Sequence, residues 1–144
     1  MLTLSAAATI LDAALAEGRR LKLAPLAVAV LDAGGHLGAF KREDGAGIAR
    51  FDIAFSKAWG SLGMGFGSRE LTERAAKNPT FISVLSTVTG GRMAPSPGGV
   101  LVLDDQHRVI GAVGVSGDIG DNDELSAVAG VEAVGLTAVA RTVE

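Results

Sequence analysis

Asp118, Asp121, Asp123 and Glu124 crowd the stretch GAVGVSGDIGDNDE, Gly111 to Glu124, where carboxylates could bind a metal, move protons or cap a helix. Their spacing lacks the alternating oxygen ligands and central glycine of a calcium loop, which excludes a dedicated site of that kind. Gly111, Gly114 and Gly117 recur every third residue, unlike a dinucleotide fingerprint or a P-loop, and no Gly-Lys-Ser/Thr follows. The pattern therefore argues against a phosphate cradle. Acidic residues ahead of a helix complement its N-terminal partial charge, so Asp121 or Asn122, with Glu124 behind, reads as a capping box. Asp118 lies outside that box, just past a strand end, where it could hydrogen-bond a ligand or hold the loop.

Other chemistry-bearing side chains are sparse. Ser116 is not in a Gly-x-Ser-x-Gly elbow, and the only histidines, His36 and His107, fall in hairpin turns where exposure is ordinary, so neither a triad nor a metal site is predicted. Lys57 lies off the Phe51/Phe55/Leu62 stripe of its helix and reads as a solvated charge, unless a pocket lets it hold an anionic group. Arg42, Glu43 and Asp44 end a strand as a polar turn. Glu132 shares a helical face with Leu125, Val128, Leu136 and Val139 and would need a partner there, unless the helix packs on its Val131/Val134/Ala138 side.

These residues need elements to position them. A helix capped by Thr3 or Ser5, with Leu4, Leu11 and Leu15 at helical spacing, is predicted to run to about Leu21. Leu26 to Asp32 and Leu37 to Arg42 flank Ala33-Gly34-Gly35-His36 as a hairpin. A second helix begins near Ile48 and is ended by Gly60, Gly63, Gly65 and Gly67. Ser68 caps a short helix ending before Pro79, and Phe81, Leu85 and Val88 mark one more helical piece. Gly90 to Gly99 is a loop. The strands around the turn Asp104 to His107 form a second hairpin, and a long helix then runs to about Arg141. Two hairpins with helices packed on them make an α+β fold with a mainly antiparallel sheet and long N- and C-terminal helices.

The 144 residues fit one domain, and a net charge of -3 with scattered Lys and Arg argues against nucleic acid as a partner. The absence of Cys removes disulfides, thiolate metal sites and a Cys nucleophile. The opening MLTLSAAATILDAALAEG lacks a basic n-region and is interrupted by Asp12 and Glu17, so it reads as a mature helix rather than a signal peptide. No apolar run is long enough to span a membrane. The expectation is a cytoplasmic protein with no membrane partner.

VAVLDAGGHLGAFKREDGA (Val28 to Ala46), DIAFSKA (Asp52 to Ala58), PGGVLVLDDQHRVIGAVGVSGD (Pro97 to Asp118) and DNDE (Asp121 to Glu124) together resemble the GlcG/HbpS family, also called the haem-degrading family. The resemblance spans nearly the whole chain. It implies a profilin-like α+β fold and homo-oligomers, from dimers up to octamers. It also implies haem or a related tetrapyrrole as cofactor, with roles in its oxidative breakdown or in iron and redox sensing. Members that ligate haem iron through a His near the end of the first helix would carry it around Arg19 to Leu23, where this chain reads RRLKL.

Two readings follow. In one, the small-molecule ligand is a tetrapyrrole contacted by Arg42, Asp44, Lys57, Gly98, Gly99 and His36, against an apolar wall from Trp59, Met64 or Phe66. In the other, the pocket between the Pro97-Gly98-Gly99 loop, the Ser116-Gly117-Asp118 turn and the Lys57 helix takes a small organic acid. Lys57, Asp118 and Glu124 would then perform cofactor-free proton transfer.

Overall fold

A computed structural model describes Met1–Glu144 and shows three layers, with one antiparallel sheet in the middle. Chain order is α1 (Leu4–Arg20), β1 (Ala27–Asp32), β2 (Leu37–Arg42), α2 (Arg50–Met64), α3 (Ser68–Lys77), α4 (Pro79–Val88), β3 (Gly99–Leu103), β4 (Val109–Ser116), α5 (Gly120–Glu132) and β5 (Thr137–Val139). The sheet order is β2-β1-β4-β3-β5, so the two predicted hairpins are joined through the pairing of β1 with β4.

The alternation of the central strands sets the layers. Val28, Val30, Val100, Val102, Val113 and Val115 point to one face and pack against Ala7, Ile10, Leu11 and Ala14 of α1 and Ala127 and Val131 of α5. The opposite face carries small residues, Ala27, Ala29, Gly99 and Gly114, and α2 lies directly on it through Ala54 and Ala58. At Gly114 any Cβ would overlap the carbonyl oxygen of Ala54, so the close approach of α2 depends on that missing atom. Thr3 caps α1 as expected, its Oγ1 accepting from the Ala6 amide at 3.1 Å. Leu4, by contrast, is exposed, and the buried stripe is that of Ala7, Ile10, Leu11 and Ala14.

Three element assignments need correction. The C-terminal helix does not reach Arg141: α5 ends at Glu132, Gly135 turns the chain at φ +75°, and Thr137–Val139 pairs with the outer edge of β3. Val131, Val134 and Ala138 have helical spacing, but a β-branched run after a turn glycine is strand chemistry that closes the sheet edge. Next, α2 passes through Gly60 and Gly63 and stops only at Gly65, which adopts the left-handed conformation as C-cap. Finally, Ser68 does not cap α3. Gly67 holds that position, and the Ser68 hydroxyl accepts from the Gly99 amide at 2.7 Å, tying α3 to β3.

α3 and α4 stand beside the layers as a hairpin of helices with their own cluster of Phe66, Leu71, Ile82 and Met93. The Phe81/Leu85/Val88 periodicity does mark a helix, although its buried residue is Ile82. No helix is long and apolar enough to cross a membrane.

Candidate functional site

Lys57 overturns its prediction as a solvated charge. The face that α2 lays on the sheet is Ala54, Lys57, Ala58 and Ser61, with Phe51 and Phe55 turned to its flank, so the lysine is carried under the end of β4 and is 2% exposed. Its Nζ donates to the carbonyl of Val115 at 2.9 Å and to Asp123 Oδ2 at 3.0 Å. Burial pushes the ammonium below its ordinary range against the Coulombic pull of Asp123, and burial likewise pushes the Asp123 carboxyl up against the pull of Lys57. The pair is closed from above by the loop before β3. Gly98, at φ +126°, leaves no room for a side chain, since a Cβ there would stand 2.8 Å from Lys57 Nζ. Gly98 and Gly99 therefore do meet Lys57, but they seal it rather than frame an open pocket.

The acidic residues are equally committed. Asp118 accepts from the Ala24 amide (2.9 Å), the Ile119 amide (2.9 Å) and Asn122 Nδ2 (2.8 Å), and these donors hold its carboxyl below the usual range, the Ala24 amide foremost. It holds the loop between α1 and β1 against the start of α5. Glu124 and Asp121 do not cap α5, whose N-cap is Ile119. Both bind Arg69 of α3, with Arg69 Nε 2.8 Å from Glu124 Oε1, and together they raise the guanidinium pKa further. Glu132 is exposed, because α5 packs through Ala127, Gly130 and Val131. Lys57, Asp118 and Glu124 thus share a neighbourhood without opening onto a common cavity, and each already has its partner.

The open site lies at the opposite side of this junction. A groove of about 530 Å³ runs between the end of α1 and the end of β2, lined by Leu15, Arg19, Pro25, Lys41, Arg42, Glu43 and Asp44. Glu43 braces it, accepting from the Leu26 amide at 2.8 Å and facing Arg19 Nε at 3.0 Å, while Arg19 Nη2 also donates to the Ala24 carbonyl. Arg42 Nη1 donates to the Ala46 carbonyl at 2.5 Å, which fixes the guanidinium at the turn. Lys41 reaches Asp12 of α1 at 2.8 Å. Three cations line this open cleft beside two carboxylates, Glu43 and Asp44, and of the three only Arg42 has no carboxylate partner; its guanidinium fork matches carboxylate geometry. Arg42 and Asp44, expected from the sequence to contact a ligand, line this groove. Arg19 and Lys41 were missed, since nothing local in the sequence shows that α1 ends beside β2.

His36 does not join them. It precedes β2, whereas Arg42 ends it, and a six-residue strand spans about 20 Å at ~3.3 Å per residue. His36 lines a separate groove at the hairpin tips with Asp32, Asp104 and Arg108. The predicted wall residues do lie together, Trp59 and Met64 packing against the cluster of Phe66, but none lines the α1–β2 groove: Met64 and Phe66 line a third groove, between α3 and α4, and Trp59 lies under the Arg92 guanidinium, 4.0 Å from its ring centre.

Residues 2–132 match the family model described as haem degrading protein HbpS-like. An uncharacterised 15.0 kDa protein of Citrobacter freundii is 30% identical over 126 residues, covering 88% of this chain and 87% of that one. Among solved structures, a double mutant of Streptomyces reticuli HbpS is 31% identical with a TM-score of 0.81, covering 93% of this chain and 87% of the other. The structure of a PduOC:heme complex is 23% identical with a TM-score of 0.82 over 92% of this chain and 94% of that one, a likeness of fold.

Proposed function

Because the chain belongs to the haem-degrading HbpS-like family, we propose that it binds a carboxylate-bearing tetrapyrrole of the haem type, with the groove between α1 and β2 receiving the carboxylates. The observation that carries this reading is the Arg42 guanidinium, without a carboxylate partner, in the lining of an open cleft that Arg19 and Lys41 also line. Arg42, fixed by the Ala46 carbonyl, and Arg19, fixed by Glu43 and Ala24, are pre-positioned donors, so little side-chain freedom is lost on binding. Asp44 at the rim can accept from a ligand or from water.

The fit is to the carboxylates and not to the iron. No histidine, cysteine or methionine lines this groove, and Arg19 to Leu23 contains none of them. Accordingly no step of haem breakdown is assigned to these residues. The groove is also short of apolar wall, with Leu15 and Pro25 as its non-polar lining, so the macrocycle would be covered by a second copy of the chain in a homo-oligomer. Absorbance titration with haemin tests this reading. It predicts a saturable Soret shift at micromolar haemin that His36→Ala and His107→Ala leave intact, and absence of any saturable shift overturns it.

A further inference from the structure

The groove between α3 and α4 is chemically unlike the first. Its floor is Met64, Phe66, Leu71 and Ile82, with Phe81 on one wall, and its volume is about 260 Å³. At ~30 Å³ for a water-sized group in the liquid, that is room for roughly nine such groups. Two cations stand at the rim, Arg74 and Lys77, on the last turn of α3. Arg74 lies flat over the Phe66 ring at 4.2 Å and is loosely held by Glu70 at 3.6 Å, while Lys77 pairs with no carboxylate.

Its surroundings also distinguish this groove from a packing defect. α4, PTFISVLSTV, carries Phe81, Ile82, Val84, Leu85 and Val88 yet buries only Ile82, and Phe81 is 51% exposed. The cluster beneath it is separate from the main core, and α4 carries none of the bonds by which Ser68 and Arg69 tie α3 to β3 and α5. An apolar groove rimmed by two cations of one helical turn complements a ligand that is apolar at one end and anionic at the other.

We propose that the α3–α4 groove is a second binding site, for a medium-chain aliphatic carboxylate whose tail lies along Phe66, Leu71, Phe81 and Ile82 and whose carboxylate meets Lys77 and Arg74. The site is independent of the α1–β2 groove and of the haem reading. Lys77 supplies the selectivity for charge, and the volume of about 260 Å³ limits chain length.

The test is calorimetric titration of the full chain with octanoate, hexanoate and 1-octanol. Octanoate binds saturably, hexanoate about 15-fold more weakly at about fourfold per methylene, and Lys77→Gln weakens octanoate about fivefold while leaving 1-octanol unchanged. Phe81→Ser, half-exposed and so compatible with folding, weakens both eight-carbon ligands and leaves the haemin titration as it was. Far-ultraviolet dichroism confirms that both variants are folded. The proposal is overturned by no saturable octanoate binding, or by octanoate binding that neither substitution alters. It is equally overturned if Phe81→Ser reduces the oligomeric state and octanoate does not bind, since a second copy of the chain then fills the groove.

Discussion

Lys57 Nζ stands 3.0 Å from Asp123 Oδ2, and the pair ties the middle of α2 to the first turn of α5 across the end of β4. Asp123 Oδ1 also accepts from the Asp118 amide at 2.9 Å, so one carboxylate fixes both a helix and the turn that precedes it. Removing either charge leaves the other buried and unpaired. Lys57→Met or Asp123→Leu should each cost about 3–5 kcal/mol, while the double variant Lys57→Met with Asp123→Leu should recover most of that loss. Urea unfolding of the three variants measures it, and a double variant as unstable as the sum of the singles contradicts this account.

The acid limb of stability follows from carboxylates with opposite shifts. Asp32, Asp104 and Asp118 are held below the ordinary aspartate value of 3.8, chiefly by backbone amides from His36, Arg108 and Ala24. Their contribution is present above pH 3.8 and is lost as pH falls through their lowered folded values. Asp123 is raised by burial, so it works the other way: the folded state takes its proton first, and stability from this group grows as pH falls toward 3.8. Chemical unfolding between pH 3 and 6 should therefore show Asp118→Asn flattening the acid decline, and an unaltered slope would count against the role given to Asp118.

The two hairpins are built alike. Asp32 Oδ1 accepts from Gly34 and His36, and Asp104 Oδ1 accepts from Gln106 and Arg108. Each turn then needs one left-handed residue, Gly35 at φ +81° in the first and His107 at φ +59° in the second. His107→Gly should be neutral or stabilising by up to about 1 kcal/mol, whereas Gly35→Ala should cost about 1 kcal/mol or more. The Cβ at Gly35 would also press on Trp59 Nε1, 3.1 Å away. Thermal unfolding of both variants distinguishes them, and a stabilised Gly35→Ala would refute the turn assignment.

Arg69 clamps α3 to α5 through Asp121 and Glu124. Partly exposed as it is, Arg69→Ala should cost about 1 kcal/mol, and the same substitution in an Asp121→Ala/Glu124→Ala background should cost almost nothing. Hydrogen exchange at the start of α5 is the direct readout. Equal costs in both backgrounds would mean that the clamp is decorative.

Sequence patterning made the two hairpins, α1 and the resemblance legible because each rests on local signals: a Thr cap, alternating Val and Ala, turn glycines. The alternation in VAVLD even separates the two faces of the sheet, valine toward α1 and α5, alanine toward α2. What it hid was long-range. Lys57 sits three residues after Ala54 and next to Ala58, on the alanine face, but only the approach of α2 to Gly114 shows that this face is the buried one. Asp123 carries no signal of its own within the acidic run, and its partner Lys57 is 66 residues away. β5 was invisible because its spacing mimics a helix until Gly135 turns it. In the α1–β2 groove, Arg42 and Asp44 were among the residues expected to meet a ligand, whereas Arg19 and Lys41 became visible only when α1 and β2 were placed side by side.

The central claim is that the α1–β2 groove reads the carboxylates of a tetrapyrrole, and the most direct test compares haemin with haemin dimethyl ester by absorbance titration. Wild-type protein should bind haemin saturably and the ester at least tenfold more weakly, and Arg42→Gln with Lys41→Gln should abolish that preference. Equal affinity for acid and ester, or a preference that survives both substitutions, would contradict it.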